Sequence, residues 1–142
     1  MRSFPPFARA LIMAVTFMVQ VLHAGISPVN LLCDGWLTPL GIDNINPRLT
    51  WQLTAPTGAR AQSQSAYEIQ VATSPTLLAG NRPDLWDSGK TFGPTCHAVY
   101  TGASLTSAQQ VFWQVRVWDG TGQLSSWSPT ATSRAWRTSS CR

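Results

Sequence analysis

The sequence predicts an all-β protein, an antiparallel β-sandwich of about seven short strands. Three observations carry that expectation. Several short stretches alternate apolar and polar residues with the period of two that sends successive side chains to opposite faces of a strand. Turn-forming Gly, Pro, Asp and Ser interrupt these stretches about every ten positions. Beyond the first 24 residues no window holds a helical period.

The chain has 142 residues, enough for one domain. Its first 24 residues read as a secretory signal peptide. Arg2 and Arg9 make a basic start, residues 10–22 are an apolar run, and Ala24 is a small residue before Gly25. As a helix that run spans about 20 Å, short of the roughly 30 Å hydrocarbon core, which argues against a membrane anchor. The expected mature domain is therefore residues 25–142, and its expected location is extracellular. Loss of Arg2 and Arg9 lowers the net charge from +4 to +2. Lys90 is the only lysine, and no basic cluster interleaves with aromatics, so nucleic-acid binding is unsupported.

Within the mature part, residues 29–33 form a first candidate strand. Residues 47–53 form the next, with Leu49, Trp51 and Leu53 on one face. Residues 55–65, rich in Ala, Gly, Thr, Ser and Gln, suit an exposed loop. Tyr67, Ile69 and Val71 then alternate with Glu68 and Gln70. After Thr73-Ser74-Pro75, residues 77–79 allow one helical turn at most. Residues 85–90 read as a short edge strand, and residues 97–100 as another.

Residues 111–128 carry the clearest pattern. Val111, Trp113, Val115 and Val117 share one face, and Phe112, Gln114, Arg116 and Trp118 the other. Asp119-Gly120-Thr121-Gly122 turns the chain, and residues 124–128 are expected to return as a partner strand. Residues 134–137 supply a last strand. Of the seven tryptophans, Trp51 and Trp113 sit within clean alternation and are expected in the core. A buried Trp removes roughly 150–250 Å² from water, so two would dominate a small interior.

Residues with reactive chemistry are few. The six acidic residues are Asp34, Asp43, Glu68, Asp84, Asp87 and Asp119. Asp84, Asp87 and Asp119 look like turn residues rather than the facing pair that glycoside hydrolysis requires. No nucleophile elbow surrounds Ser88, and His97 is the only histidine past the signal segment. Residues 43–46 lack the ligand count of a calcium loop, and no cysteines and histidines stand at zinc spacing. The expectation is no catalytic residue, no metal and no cofactor. Export permits disulfides. Cys33–Cys96 is one reading of the three cysteines, leaving Cys141 in the tail; the other makes Cys33 a small buried apolar residue. Trp36 and Trp86, each near an aspartate, are candidate sugar-stacking residues, against the reading that they pack on the sandwich edge or a neighbouring domain. Arg116 and Trp127 lie on consecutive strands as a candidate clasp, a guanidinium over an indole face, with Ser126 and Ser128 holding the Trp edge.

Several blocks taken together resemble the N-terminal Ig/fibronectin-III-like domain of bacterial and fungal α-L-rhamnosidases. Leu40-Gly41-Ile42-Asp43 and Pro47-Arg48-Leu49-Thr50-Trp51 match its opening, and Gln64-Ser65-Ala66-Tyr67-Glu68-Ile69-Gln70-Val71-Ala72 its next strand. Leu85-Trp86-Asp87-Ser88-Gly89-Lys90 follows, then Tyr100-Thr101-Gly102 with Leu105. Trp113-Gln114-Val115-Arg116-Val117-Trp118-Asp119 and Ser126-Trp127-Ser128 close the set. No block is specific alone, but they occur in family order from Leu31 to Ser128. Asp34-Gly35-Trp36 departs from the family's Glu-Tyr-like pair.

The resemblance implies a non-catalytic Ig/fibronectin-III-like β-sandwich. In the family it precedes a further β-domain and an (α/α)₆ barrel that hydrolyses terminal α-L-rhamnosides. No catalytic residue carries over to this chain. The implied partners are the downstream rhamnosidase domains and rhamnose-containing carbohydrate, with no nucleic acid and no membrane after signal cleavage. Two competing readings remain: a stand-alone carbohydrate-binding module, and a protein-interaction module of fibronectin-III type. Sandwich folds host all three, so fold alone does not separate them.

Overall fold

The computed structural model describes residues 25–37, 40–42, 44–106 and 108–135. The expected signal peptide, residues 1–24, and Asp43, Trp136 and Cys141 lie outside them. Two sheets face each other. The smaller holds β1 (Ser27–Cys33), β3 (Arg48–Thr54) and β7 (His97–Val99) in the antiparallel order β1-β3-β7. The larger runs β2 (Leu40–Ile42), β9 (Ala131–Ala135), β8 (Gln110–Asp119), β4 (Gln64–Ala72) and β5 (Trp86–Asp87), with β6 (Thr91–Phe92) also paired to β4. A single capped turn, α1 (Pro75–Ala79), follows β4; Ser74 Oγ accepts the Leu77 amide.

The inward faces are the ones alternation selects. Leu31, Cys33, Leu49 and Trp51 come from the small sheet, and Ile69, Val71, Val111, Trp113, Val115 and Val117 from the large one. Trp51 and Trp113 are 3 % and 1 % exposed. The Trp51 ring tilts against Tyr67 at 5.0 Å, and its Nε1 donates to Gln64 Oε1 at 3.0 Å. Gln64 Nε2 in turn donates to the Gly93 and Thr95 carbonyls. A polar residue at the start of β4 is buried because all of its hydrogen-bonding groups are matched.

Four local expectations are revised. Residues 85–90 do not form one strand: Gly89, with φ +58°, turns the chain between β5 and β6, so β4 pairs with two short segments. The expected loop of residues 55–65 ends earlier, since Gln64 and Ser65 open β4. The last strand begins at Ala131, and a short parallel strand, β2, lies against it. Residues 124–128 return along β8 without forming a full ladder. Leu124 bridges Trp118; Ser125 and Ser128 then donate their amides to the Val117 and Val115 carbonyls, both at 2.8 Å. Their hydroxyls accept the Val117 and Val115 amides. The pairing serines are thus Ser125 and Ser128 rather than Ser126 and Ser128, and they serve β8 instead of the Trp127 edge.

The sandwich has two distinct ends. At one, Gly25, the connection from β3 to β4 and the Asp119 turn meet; the Gly25 amide donates to Asp119 Oδ2 at 3.2 Å. At the other lie the turn after Cys33, the segment leading into Arg48, the end of β7, the start of β8 and the end of β9.

Candidate functional site

The two candidate sugar-stacking residues lie apart. Trp36 sits in a tight turn closed by paired Cys33–Trp36 backbone hydrogen bonds, which Asp34 (φ +47°) and Gly35 (φ +85°) make possible. It is 70 % exposed. Trp86 is half-buried on β5, at the opposite side of the sandwich. Its ring meets Tyr100 edge to face at 5.4 Å and borders an open cleft of about 310 Å³ with Tyr67, Asp87 and Ser88.

The described carboxylates serve the fold. Asp34 Oδ1 accepts the Arg48 amide at 2.7 Å, and Asp87 accepts from Gly89 N and Gln70 Nε2. Asp84 accepts from both the amide and the hydroxyl of Thr73; partial desolvation pushes its carboxyl up, but these bonds win and hold it below the usual range. Asp119 Oδ1 takes three donors, Thr121 N, Thr121 Oγ1 and Gln123 N, and stands likewise below the usual range against an opposing desolvation. Among the described residues, no group of three or more His, Cys, Asp or Glu is placed to hold a metal ion. His97 is exposed on β7.

A pH dependence follows for Asp119. With its folded value below the reference 3.8, its contribution is complete above that value and is lost as pH falls through the folded one. Asp119→Asn is expected to cost about 1 kcal/mol at neutral pH, because an amide has one oxygen where four donors converge on two. Urea midpoints of both proteins should draw together as pH falls through the lowered folded value and the wild-type carboxyl takes up its proton; a gap that stays constant with pH would remove the carboxylate from the account.

Arg116 and Trp127 are brought together: the guanidinium carbon stands 4.4 Å from the indole centroid. The contact belongs to a longer stack. Arg116 also lies over Trp118 at 5.7 Å, Lys90 Nζ over Trp118 at 4.6 Å, and the same Nζ over Phe92 at 5.0 Å. Arg116 Nε and Nη2 both donate to Glu68 Oε2, at 2.9 and 2.8 Å. The order Phe92, Lys90, Trp118, Arg116, Trp127 alternates rings and cations along the outward face of the large sheet. Sequence reasoning found only one step of it. The missing signal is cross-strand register: Ala66 sits opposite both Phe92 and Trp118, and Glu68 opposite Arg116. Beside this stack, Gln114 Nε2 donates to Gln70 Oε1 and to the Leu78 carbonyl, beneath α1.

The Cys33–Cys96 disulfide is corrected: both are free thiols. Cys33 lies opposite Leu49, whereas the Cys96 carbonyl accepts the Trp51 amide from the other side of β3. Two strand spacings and a two-residue offset separate their Cα atoms by ~12 Å, beyond the ~7 Å a disulfide bridges. Burial pushes the Cys33 thiol up to about 11; the nearby Ser133 hydroxyl, which has no other polar partner, acts the opposite way, and Asp34 adds to the rise. Burial raises Cys96 too. Native Cys33 is therefore expected to react with a thiol reagent about a hundredfold more slowly than an ordinary cysteine. Unfolding without reductant should expose both sulfurs to labelling; a linked Cys33/Cys96 peptide pair in the digest would contradict this.

The class of protein that emerges is an Ig-type sandwich whose described carboxylates bind its own turns and Arg116 and whose outward face carries a cation–aromatic stack. The family model for the Rha78A-like, N-terminal immunoglobulin domain matches residues 28–137, and the chain belongs to that family. An α-L-rhamnosidase of Formosa agariphila is 43 % identical over 99 residues, covering 69 % of this chain and 10 % of that protein. One from Streptomyces avermitilis is 43 % identical over 91 residues, covering 63 % and 8 %. Among solved structures, the α-L-rhamnosidase of Dictyoglumus thermophilum superposes with a TM-score of 0.74 at 33 % identity, covering 78 % of this chain and 12 % of that one. The Streptomyces avermitilis enzyme complexed with L-rhamnose gives 0.72 at 34 %, covering 78 % and 10 %. The chain spans about a tenth of the length of the relatives it matches.

Proposed function

We propose that this chain is a non-catalytic module of a secreted α-L-rhamnosidase, supporting domains that remove terminal α-L-rhamnose from rhamnosides. One observation carries the reading: the chain matches the N-terminal immunoglobulin domain of enzymes of which it covers only about a tenth. The commitment of each described carboxylate to a turn, a cap or Arg116 supports it, because glycoside hydrolysis needs an acid and a base or nucleophile facing one sugar. Secretion rests on the basic-then-apolar pattern of the first 24 residues. No helix among the described residues is long and apolar enough to cross a membrane.

The purified chain is expected to leave an aryl α-L-rhamnoside unhydrolysed. Turnover that co-purifies with it and vanishes on unfolding would overturn the non-catalytic assignment. A second reading, sugar binding by stacking, is favoured by the exposure of Trp36. Titrating rhamnose-bearing oligosaccharides into the wild type and Trp36→Ala separates the two: saturable quenching that the substitution abolishes supports binding, and a flat response removes it.

A further inference from the structure

We infer that the end of the sandwich bearing Trp36, Leu37 and Ile45 is the surface on which the next domain of a rhamnosidase packs. This rests on the reading of the chain as a rhamnosidase module.

Exposure is the first observation. Five large apolar residues are left strongly exposed among the described residues: Trp36, Leu37, Ile45, Phe92 and Val99, at 70, 64, 81, 78 and 45 %. Their positions are not scattered. Trp36 and Leu37 follow Cys33 at the end of β1, Ile45 precedes Arg48 at the start of β3, and Val99 pairs with Arg48 at the end of β7. Three of the five, Trp36, Leu37 and Ile45, therefore gather at one end; Val99 lines the Trp86 cleft on the far side, and Phe92, beside Ala66 near the start of β4, lies toward the other end. Exposed single apolar residues are ordinary; a gathering of them marks a contact surface.

The surface is also braced. Asp34 accepts the Arg48 amide, its own amide donates to the Arg48 carbonyl, and Asn44 Nδ2 approaches its second oxygen at 3.5 Å. These bonds tie the Trp36 turn to the segment carrying Ile45. Asn46 Nδ2 donates to the Tyr100 carbonyl, fastening that segment to the end of β7. Side chains held by such a frame lose little further freedom on docking.

The occupant follows from where the chain runs. β9 reaches this end at Ala135, antiparallel to a β8 that begins there, with Gln110 opposite Arg134. β2, a few residues after Leu37, pairs with those same last residues of β9. The matched domain is N-terminal and makes up about a tenth of the relatives, so a chain continuing past β9 would leave from this end. A tethered neighbour meets the patch at high effective concentration, so a modest apolar contact suffices to hold it.

The test joins the 142-residue chain to the Streptomyces avermitilis α-L-rhamnosidase in place of that enzyme's matching segment. Hydroxyl-radical oxidation, read residue by residue by mass spectrometry, is compared in the free chain and the fusion. Trp36 and Ile45 are expected to oxidise at least ~fivefold more slowly in the fusion, while Phe92 is unchanged. Trp36→Ser with Ile45→Ser should speed proteolysis of the junction in the fusion and leave the melting temperature of the free chain unmoved. Equal oxidation of Trp36 in both forms, in an active fusion, overturns the surface and leaves the module reading standing. A fusion without rhamnosidase activity, when the parent enzyme has it, overturns the module reading and this inference together. Protection of Trp36 by L-rhamnose, or by raising the concentration of the free chain, reassigns the surface to sugar or to a second copy, and overturns it equally.

Discussion

Arg116→Ala is expected to destabilise the domain by about 3 kcal/mol, lowering the melting temperature by roughly 10 °C. Glu68 is 8 % exposed and lies opposite Arg116 on β4. Its Oε2 takes two guanidinium donors, so deleting the arginine leaves a buried carboxylate without its counter-charge. For a fully buried pair that costs about 3–5 kcal/mol. The Arg116 side chain retains 25 % exposure, so water recovers part of the loss. Against this, the guanidinium also leaves the faces of Trp127 and Trp118, each contact worth roughly 0.5–1 kcal/mol near the surface.

Companion variants separate the charge from the stacking. Glu68→Gln with Arg116→Ala should recover part of the stability, because no unpaired carboxylate remains. Arg116→Lys should fall between, since an ammonium reaches Glu68 but is not a planar group to lie between two indoles. Urea midpoints of wild type, Arg116→Ala, Glu68→Gln and the double variant form a cycle, with Arg116→Lys compared beside it. If Arg116→Ala lies within about 0.5 kcal/mol of wild type, the pair is only a surface salt bridge.

Much of the fold is legible in the chain because burial on a strand has period two. Alternation places Trp51, Trp113 and the valines of β8 inward, where the structure has them. What alternation does not contain is register, the offset between strands distant in sequence. Cys33 and Cys96 both face the interior, so counting cysteines offered a bridge; the register of β1 and β7 on β3 forbids it. The same gap hid the stack: Lys90 reaches Trp118 only because β6 and β8 both pair with Ala66. Side chains also stood in for backbone. Ser125 and Ser128 complete hydrogen bonds of β8, so a strand-like pattern in residues 124–128 became a serine-braced segment. The buried tyrosine is Tyr100, whose hydroxyl donates to the Ala103 carbonyl at 2.6 Å.

That tyrosine turn depends on one residue with no side chain. A Cβ at Gly102 would stand 2.4 Å from Trp86 Cβ, 2.6 Å from the Leu85 carbonyl oxygen and 2.7 Å from Tyr100 Oη. Two of these neighbours are a backbone oxygen and a side-chain root, which move only with the main chain. Neither neighbour is free to yield: Leu85 O accepts the Ala103 amide at 2.9 Å, and the Trp86 ring is set against Tyr100. Gly102→Ala is therefore expected to cost about 3 kcal/mol, at the upper end of ordinary overpacking. The near-ultraviolet signal of the Trp86–Tyr100 pair should change with it. Gly122→Ala is the control. Nothing lies within 4 Å of a Cβ there, but its φ of +84° disfavours a side chain, so about 1 kcal/mol is expected from conformation alone. A Gly102→Ala midpoint no lower than that of Gly122→Ala would mean the turn relaxes freely, and that the Tyr100 hydroxyl is not what fixes the connection between β7 and β8. A larger loss, with the Trp86 signal altered, ties that connection to the close approach of residue 102 to β5.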